Sequence, residues 1–137
     1  MEKEFADLHV HTIYSDGTFP PEAIIAEAAK CGLKIISLTD HDTADVYLAE
    51  GIQSVSSRYG VEIIPGVEFS ADYYMQSRHL IEVHVIGYFI DIFDQKLKDY
   101  FREYQEMRYL RAQAILKKLN AMNIPLQMQD LKKEVKK

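Results

Sequence analysis

Four of the five histidines, His9, His11, His41 and His84, sit at the polar ends of, or within, short apolar runs. His9 and His11 are two residues apart, and on a β-strand residues i and i+2 point to the same side, so both imidazoles can reach one ion. Asp16 follows in the loop Thr12–Gly17, and His41 lies in Thr39–Asp40–His41–Asp42. Glu68 lies in Gly66–Val67–Glu68–Phe69–Ser70, and His84 in Val83–His84–Val85–Ile86–Gly87. Taken singly each is an ordinary polar residue; four histidines at successive strand positions with two acids in phase form a constellation. Imidazole mixed with carboxylate suits divalent Zn, Mn or Fe. Other chemistries lack their signatures: there is no Gly-x-Ser-x-Gly elbow, no Cys–His pairing pattern, no P-loop and no Gly-x-Gly-x-x-Gly.

These residues need elements that bring them to one place. Glu4–His11 reads as a strand entering a loop. Thr18–Glu22 reads as a helix start, with Pro20 and Pro21 tolerated in the first turn and Glu22 against the positive end of the dipole. Ile24, Ile25, Ala28 and Ala29 form the apolar stripe of that helix, and Gly32 ends it. Leu33–Thr39 reads as a buried parallel strand, 43–59 as a second helix, Val61–Ser70 as a third strand and Leu80–Phe89 as a fourth. Alternating strands and helices predict an α/β chain with a parallel sheet or barrel, whose strand ends converge on one face. After Asp94 the pattern changes: 95–122 reads as one long helix and 127–136 as a lysine-rich one. The expected division is 1–94, an α/β metal-binding segment, and 95–137, a helical insertion or cap.

The charge follows the same division. Residues 1–95 hold 16 acidic and 5 basic side chains, a net of −11, while residues 96–137 hold 5 acidic and 11 basic, a net of +6. Carboxylates suit hard or borderline cations, and Lys and Arg suit phosphate. The chain of 137 residues is 47% hydrophobic, enough for a core. Cys31 is the lone cysteine, so no intrachain disulfide can form, and a buried thiol is expected there. No basic segment followed by an apolar run opens the chain, and no stretch approaches the ~20 apolar residues of a membrane span. A cytoplasmic protein without a membrane partner is expected.

On the long helix, Leu97, Phe101, Tyr104, Ile115 and Leu119 fall on one face at about 100° per residue. Arg108 and Arg111 fall on that same face. Two readings fit. Their stems lie on apolar surface with the heads in water or paired with an acid, or the two guanidiniums clamp a phosphate of the substrate.

Asp7–Leu8–His9–Val10–His11–Thr12–Ile13–Tyr14–Ser15–Asp16–Gly17 resembles the first motif of the PHP (polymerase and histidinol phosphatase) family almost residue for residue. Thr39–Asp40–His41–Asp42 resembles its second motif, and the blocks around Glu68 and His84 resemble those that follow. The likeness covers residues 5–90 well and the later helices more loosely. It is strongest to nucleoside 3′,5′-bisphosphate phosphatases and 5′→3′ oligoribonucleotide exonucleases. The resemblance implies the N-terminal part of a distorted (β/α)7 barrel followed by a helical insertion, with up to three divalent ions. His9 and His11 would hold the first, Glu68 would bridge the first and second, His84 would serve the second, and Asp16 and His41 the third. Asp40, beside a ligand, would be catalytic or orient its neighbours. The implied reaction is hydrolysis of phosphate esters of small nucleotides or of short oligonucleotide 5′ ends by a metal-activated water. Histidinol-phosphate hydrolysis and a non-catalytic metal-binding module are the alternatives. His79 matches no motif and reads as a surface or loop histidine.

The likeness is incomplete. A β/α barrel takes roughly 250 residues, and no histidine follows His84, whereas the family supplies further ligands late in its chain. The chain reads either as a fragment or as a reduced natural form. Weak metal binding, low activity alone, and self-association or pairing with a missing C-terminal half are expected.

Overall fold

The computed structural model describes residues 5–74 and 80–134. Two compact units divide within one helix: Met1–Lys98 and Asp99–Lys137.

In the first unit β1 (Phe5–Val10) leads to α1 (Pro21–Lys30), β2 (Leu33–Leu38), a 3₁₀ turn (Asp45–Leu48), α2 (Ile52–Tyr59), β3 (Glu62–Tyr74) and β4 (Leu80–Tyr88). Pro20 and Pro21 open α1 and Glu22 lies in its first turn, as the sequence predicts. The helix buries Ile25 and Ala28, and packs on β2 and α2. Ile36, Leu38, Val46, Val61 and Val67 complete the core beside Ile25, each almost fully withdrawn from water. Cys31, expected to be buried, is exposed. It caps α1 after the buried stripe has ended, so no apolar layer covers it.

The expected second helix over 43–59 is two pieces. Gly51, at φ 84, separates the 3₁₀ turn from α2, a backbone conformation that an α-helix interior does not use. The break lets Val46 and Tyr47 turn inward. Tyr47 then fastens the sheet: its hydroxyl donates to the Leu38 carbonyl at 2.5 Å, lies 3.1 Å from the Ile64 carbonyl, and accepts the Gly66 amide at 2.9 Å. Burial pushes the Tyr47 phenol up to about 12.

The strand order is β1-β2-β3-β4. β1–β2 and β2–β3 are parallel, but β4 runs antiparallel to β3, in register Ser70↔His84 and Glu68↔Ile86. This corrects the expectation of four parallel strands. A parallel crossover needs a dozen or more residues, and only residues 75–79 separate β3 from β4. The sheet also curls: the Tyr88 hydroxyl on β4 donates to the Leu8 carbonyl on β1 at 3.0 Å, although a flat sheet would place these strands about 14 Å apart.

The second unit consists of most of α3 (Gln95–Ala121) and α4 (Met128–Glu134). The Asp94 carboxylate accepts the Leu97 amide at 2.8 Å and caps the start of α3. Its end is a Schellman motif: Asn123 takes φ 61, its amide donates to Asn120, and the Ile124 amide donates to Leu119. Phe101 and Leu116 are its buried residues. Ile115, expected on the apolar face, is 49% exposed and Leu116 takes that place. Among the described residues no helix is long and apolar enough to cross a membrane.

Candidate metal centre

The curled sheet brings His9, His11, Asp16, His41, Glu68 and His84 together. Glu68 is the hub, with its side chain only 6% exposed. Its Oε2 lies 2.9 Å from His9 Nε2, 2.7 Å from His11 Nε2 and 3.7 Å from His41 Nδ1. Its Oε1 lies 2.9 Å from His84 Nδ1. Asp16 approaches from the β1–α1 loop, 2.7 Å from His11 Nδ1 and 3.7 Å from His41 Nε2. Three overlapping groups result, each with ligand atoms within 4.8 Å of one another: His9–His11–Glu68, His11–Asp16–His41 and His41–Glu68–His84.

The electrostatics suit a cation. His9 Nε2 and His11 Nε2 stand 3.2 Å apart while both face the same carboxylate oxygen. Among the described residues His41 Nδ1 is buried without a hydrogen bond, a position that normally demands a partner. Burial pushes the His11 imidazole down, but the hydrogen bonds and charges of Asp16 and Glu68 outweigh it and raise its pKa. The hydrogen bond from His11 holds the Asp16 carboxyl below its usual range. Burial pushes Glu68 up, and the hydrogen bonds and charges of His9, His41 and His11 overcome that and hold it low. His11 lies between the Asp16 and Glu68 carboxylates, a place that favours positive charge. The donor set, imidazole plus carboxylate, fits Zn, Mn or Fe.

Asp40 stands apart from the three groups. It is fully buried. Its Oδ1 accepts the Thr12 amide at 2.8 Å and the Ser15 hydroxyl at 2.6 Å, and its Oδ2 accepts the Thr12 hydroxyl at 2.8 Å. It braces the loop that joins His11 to Asp16, so the orienting reading describes its surroundings better than a directly reacting one. Gly17 closes the same loop. A Cβ there would meet the His11 carbonyl oxygen at 2.5 Å, a backbone contact that cannot yield. Thr12, Ser15 and Asp42 were not singled out from sequence; only their places inside the two motifs signalled them. Arg108 and Arg111 lie on α3 in the second unit, both exposed. His79 lies outside the described residues.

The PHP domain family matches residues 7–128. The chain belongs to the PHP domain family. Among curated relatives of this PHP chain, the 5'-3' exoribonuclease Rnm of Escherichia coli (strain K12) is 34% identical over 119 residues, covering 87% of this chain and 39% of that protein. The 3',5'-nucleoside bisphosphate phosphatase of Chromobacterium violaceum is 34% identical over 118 residues, covering 86% of this chain and 39% of that one. The solved structure of an amidohydrolase from Chromobacterium violaceum, with sulfate bound and no metal, matches at TM-score 0.72 and 31% identity, over 85% of this PHP chain and 39% of its own. The chain thus spans about two-fifths of the length of the curated relatives it matches.

Proposed function

We propose that this PHP chain forms the N-terminal metal-binding part of a distorted (β/α)7 phosphoesterase. It hydrolyses phosphate esters of small nucleotides or of short oligonucleotide 5′ ends. The observation that carries this reading is Glu68: one buried carboxylate within 2.7–3.7 Å of four histidine rings from β1, β4 and the loops after β1 and β2. His9, His11 and Glu68 would hold one divalent ion, Glu68 and His84 a second, and Asp16 and His41 a third, of Mn, Zn or Fe. Bound ions would supply Lewis-acid charge toward phosphoryl oxygens and lower the pKa of a water enough for it to attack phosphorus.

The chain's own residues do the positioning. Glu68 joins two ligand groups through its two oxygens. Asp40, through Thr12 and Ser15, fixes the loop between His11 and Asp16. Arg108 and Arg111 would bind a second phosphate of the substrate, as bidentate guanidiniums do. Two of the similar proteins are named for acting on RNA in the 5'-3' direction and on 3',5'-nucleoside bisphosphates, and the second of these substrates carries two phosphates on one nucleoside.

In this assignment the first ion has three protein ligands and the second and third only two each, against the three of a usual catalytic zinc site. Weak loading and low turnover follow for the chain alone, as does self-association, or pairing with a C-terminal half, over the exposed β1 edge. Mn²⁺-dependent turnover of a 3′,5′-bisphosphonucleoside, a short 5′-phosphorylated RNA and histidinol phosphate should be compared, in this chain and in one extended to its relatives' length. The bisphosphonucleoside or the RNA is expected to turn over. Hydrolysis of histidinol phosphate alone would move the substrate to that ester. Metal binding with no turnover in the extended chain would make this a non-catalytic module.

A further inference from the structure

β2 ends its regular pairing with β3 at Leu38↔Pro65, yet Glu68, the hub, lies three residues farther on. Its backbone is held by an isolated parallel bridge, His41↔Glu68: the Glu68 amide donates to Asp40 at 3.3 Å and the Asp42 amide donates to Glu68 at 3.0 Å. In a continuing parallel ladder the next bond would run from the Ser70 amide to the Asp42 carbonyl. The chain leaves the strand there instead, since Asp42 adopts φ 52. The Ser70 amide donates at 2.8 Å to the Asp42 side-chain Oδ1. The carboxylate replaces the carbonyl that the turn has carried away.

We infer that Asp42 is a positioning residue for the metal centre: its buried carboxylate extends the β2–β3 ladder by one bond. That bond fixes Glu68 two residues before Ser70, and it fixes His84, which pairs with Ser70 on β4. One side chain thereby sets the spacing between two ligands on neighbouring strands. This inference rests on the metal centre proposed above.

Three substitutions separate the bond from its alternatives. Glycine accepts φ 52 but offers no acceptor, whereas asparagine tolerates the left-handed region and keeps a side-chain oxygen without the charge. Mn²⁺ affinity is measured by titration calorimetry on the whole chain, with circular dichroism reporting folding. D42G is expected to lose roughly 10–100-fold in affinity, the usual cost of removing a group that orients ligands, and D42N to stay within about threefold of the original chain. Undiminished affinity in D42G overturns the inference. So does a loss in D42N equal to that in D42G, because charge rather than the bond would then be at work. Should D42G fail to fold, D42E decides in its place: it keeps the charge but shifts the acceptor by a methylene. Weakened Mn²⁺ binding in D42E supports positioning, and unchanged binding overturns it. No Mn²⁺ binding by the unsubstituted chain overturns the metal centre itself and this inference with it.

Discussion

The two units use polar residues in opposite ways. In Met1–Lys98 carboxylates are buried and shared: Glu68 between histidines, Asp40 between Thr12 and Ser15, Asp42 on the Ser70 amide. In Asp99–Lys137 the charged side chains of α3 are exposed, and Arg102 pairs locally with Asp99 at 2.8 Å. Exposed pairs of that kind contribute little to stability. The buried groups have no water to fall back on, so position is everything for them. The difference teaches where substitution should be felt. Single changes in the first unit should disturb chemistry and fold together. Single changes in the second should be absorbed, except where a side chain meets substrate.

The sharpest break in that comparison is the ligand set. Glu68→Ala, His9→Ala and His11→Ala should each lower Mn²⁺ affinity more than the roughly 100-fold ceiling of outer-shell changes, with Glu68→Ala worst because its carboxylate stands within 2.7–3.7 Å of all four histidines. Metal analysis after dialysis checks this; a His9→Ala chain that keeps its full metal content would refute the ligand assignment.

Gly17→Ala comes next. Its Cβ would press on the His11 backbone, and relief requires moving the loop that bears Asp16. A loss of about 1–3 kcal/mol is expected from such overpacking. It is read by urea denaturation, with metal affinity falling alongside it.

Tyr47→Phe tests the fold without touching a ligand. It removes the donor to Leu38 and leaves the buried Gly66 amide without its acceptor, at a cost of about 1–3 kcal/mol. The pH dependence has a definite sign. The folded pKa of about 12 lies above the unfolded value near 10. The phenol therefore contributes its stability in full below pH 10 and loses it as pH rises toward 12. The Phe variant should lack that alkaline component in unfolding curves taken from pH 9 to 12. An identical alkaline decline in both chains would count against the buried hydrogen bonds of Tyr47.

The smallest effects belong to the second unit and to His79. Arg108→Ala and Arg111→Ala should change stability by under about 0.5 kcal/mol, as exposed substitutions do, and His79→Ala should leave metal content unchanged. In the extended chain the arginine variants should raise KM for a doubly phosphorylated nucleotide more than for a singly phosphorylated one. Equal KM changes for the two substrates would remove the phosphate clamp and leave both arginines as surface residues.

Much of the site was legible before any coordinates, because residue type and period carry it. His9 and His11 face one way on any strand, and His41, Glu68 and His84 fall on later strands or just beyond them, so their convergence needed only a sheet. The helix limits were legible for the same local reason, with Pro20, Pro21 and Gly32 bounding α1 and Asp94 opening α3. The misreadings were those that depend on distance. The direction of β4 turned on a connection too short for a crossover, and the break at Gly51 on the inward demand of Tyr47.

By itself the sequence determined which atoms could bind a cation, since imidazoles and carboxylates are recognisable wherever they stand and short-range periodicity sets their faces. Only the tertiary structure decided that Glu68 is the hub, that Asp40 spends both oxygens on Thr12 and Ser15, and that Asp42 completes a ladder its own backbone has left. Those facts depend on which strand ends meet after the sheet curls. That meeting is set by contacts between residues tens of positions apart, and no local pattern encodes it.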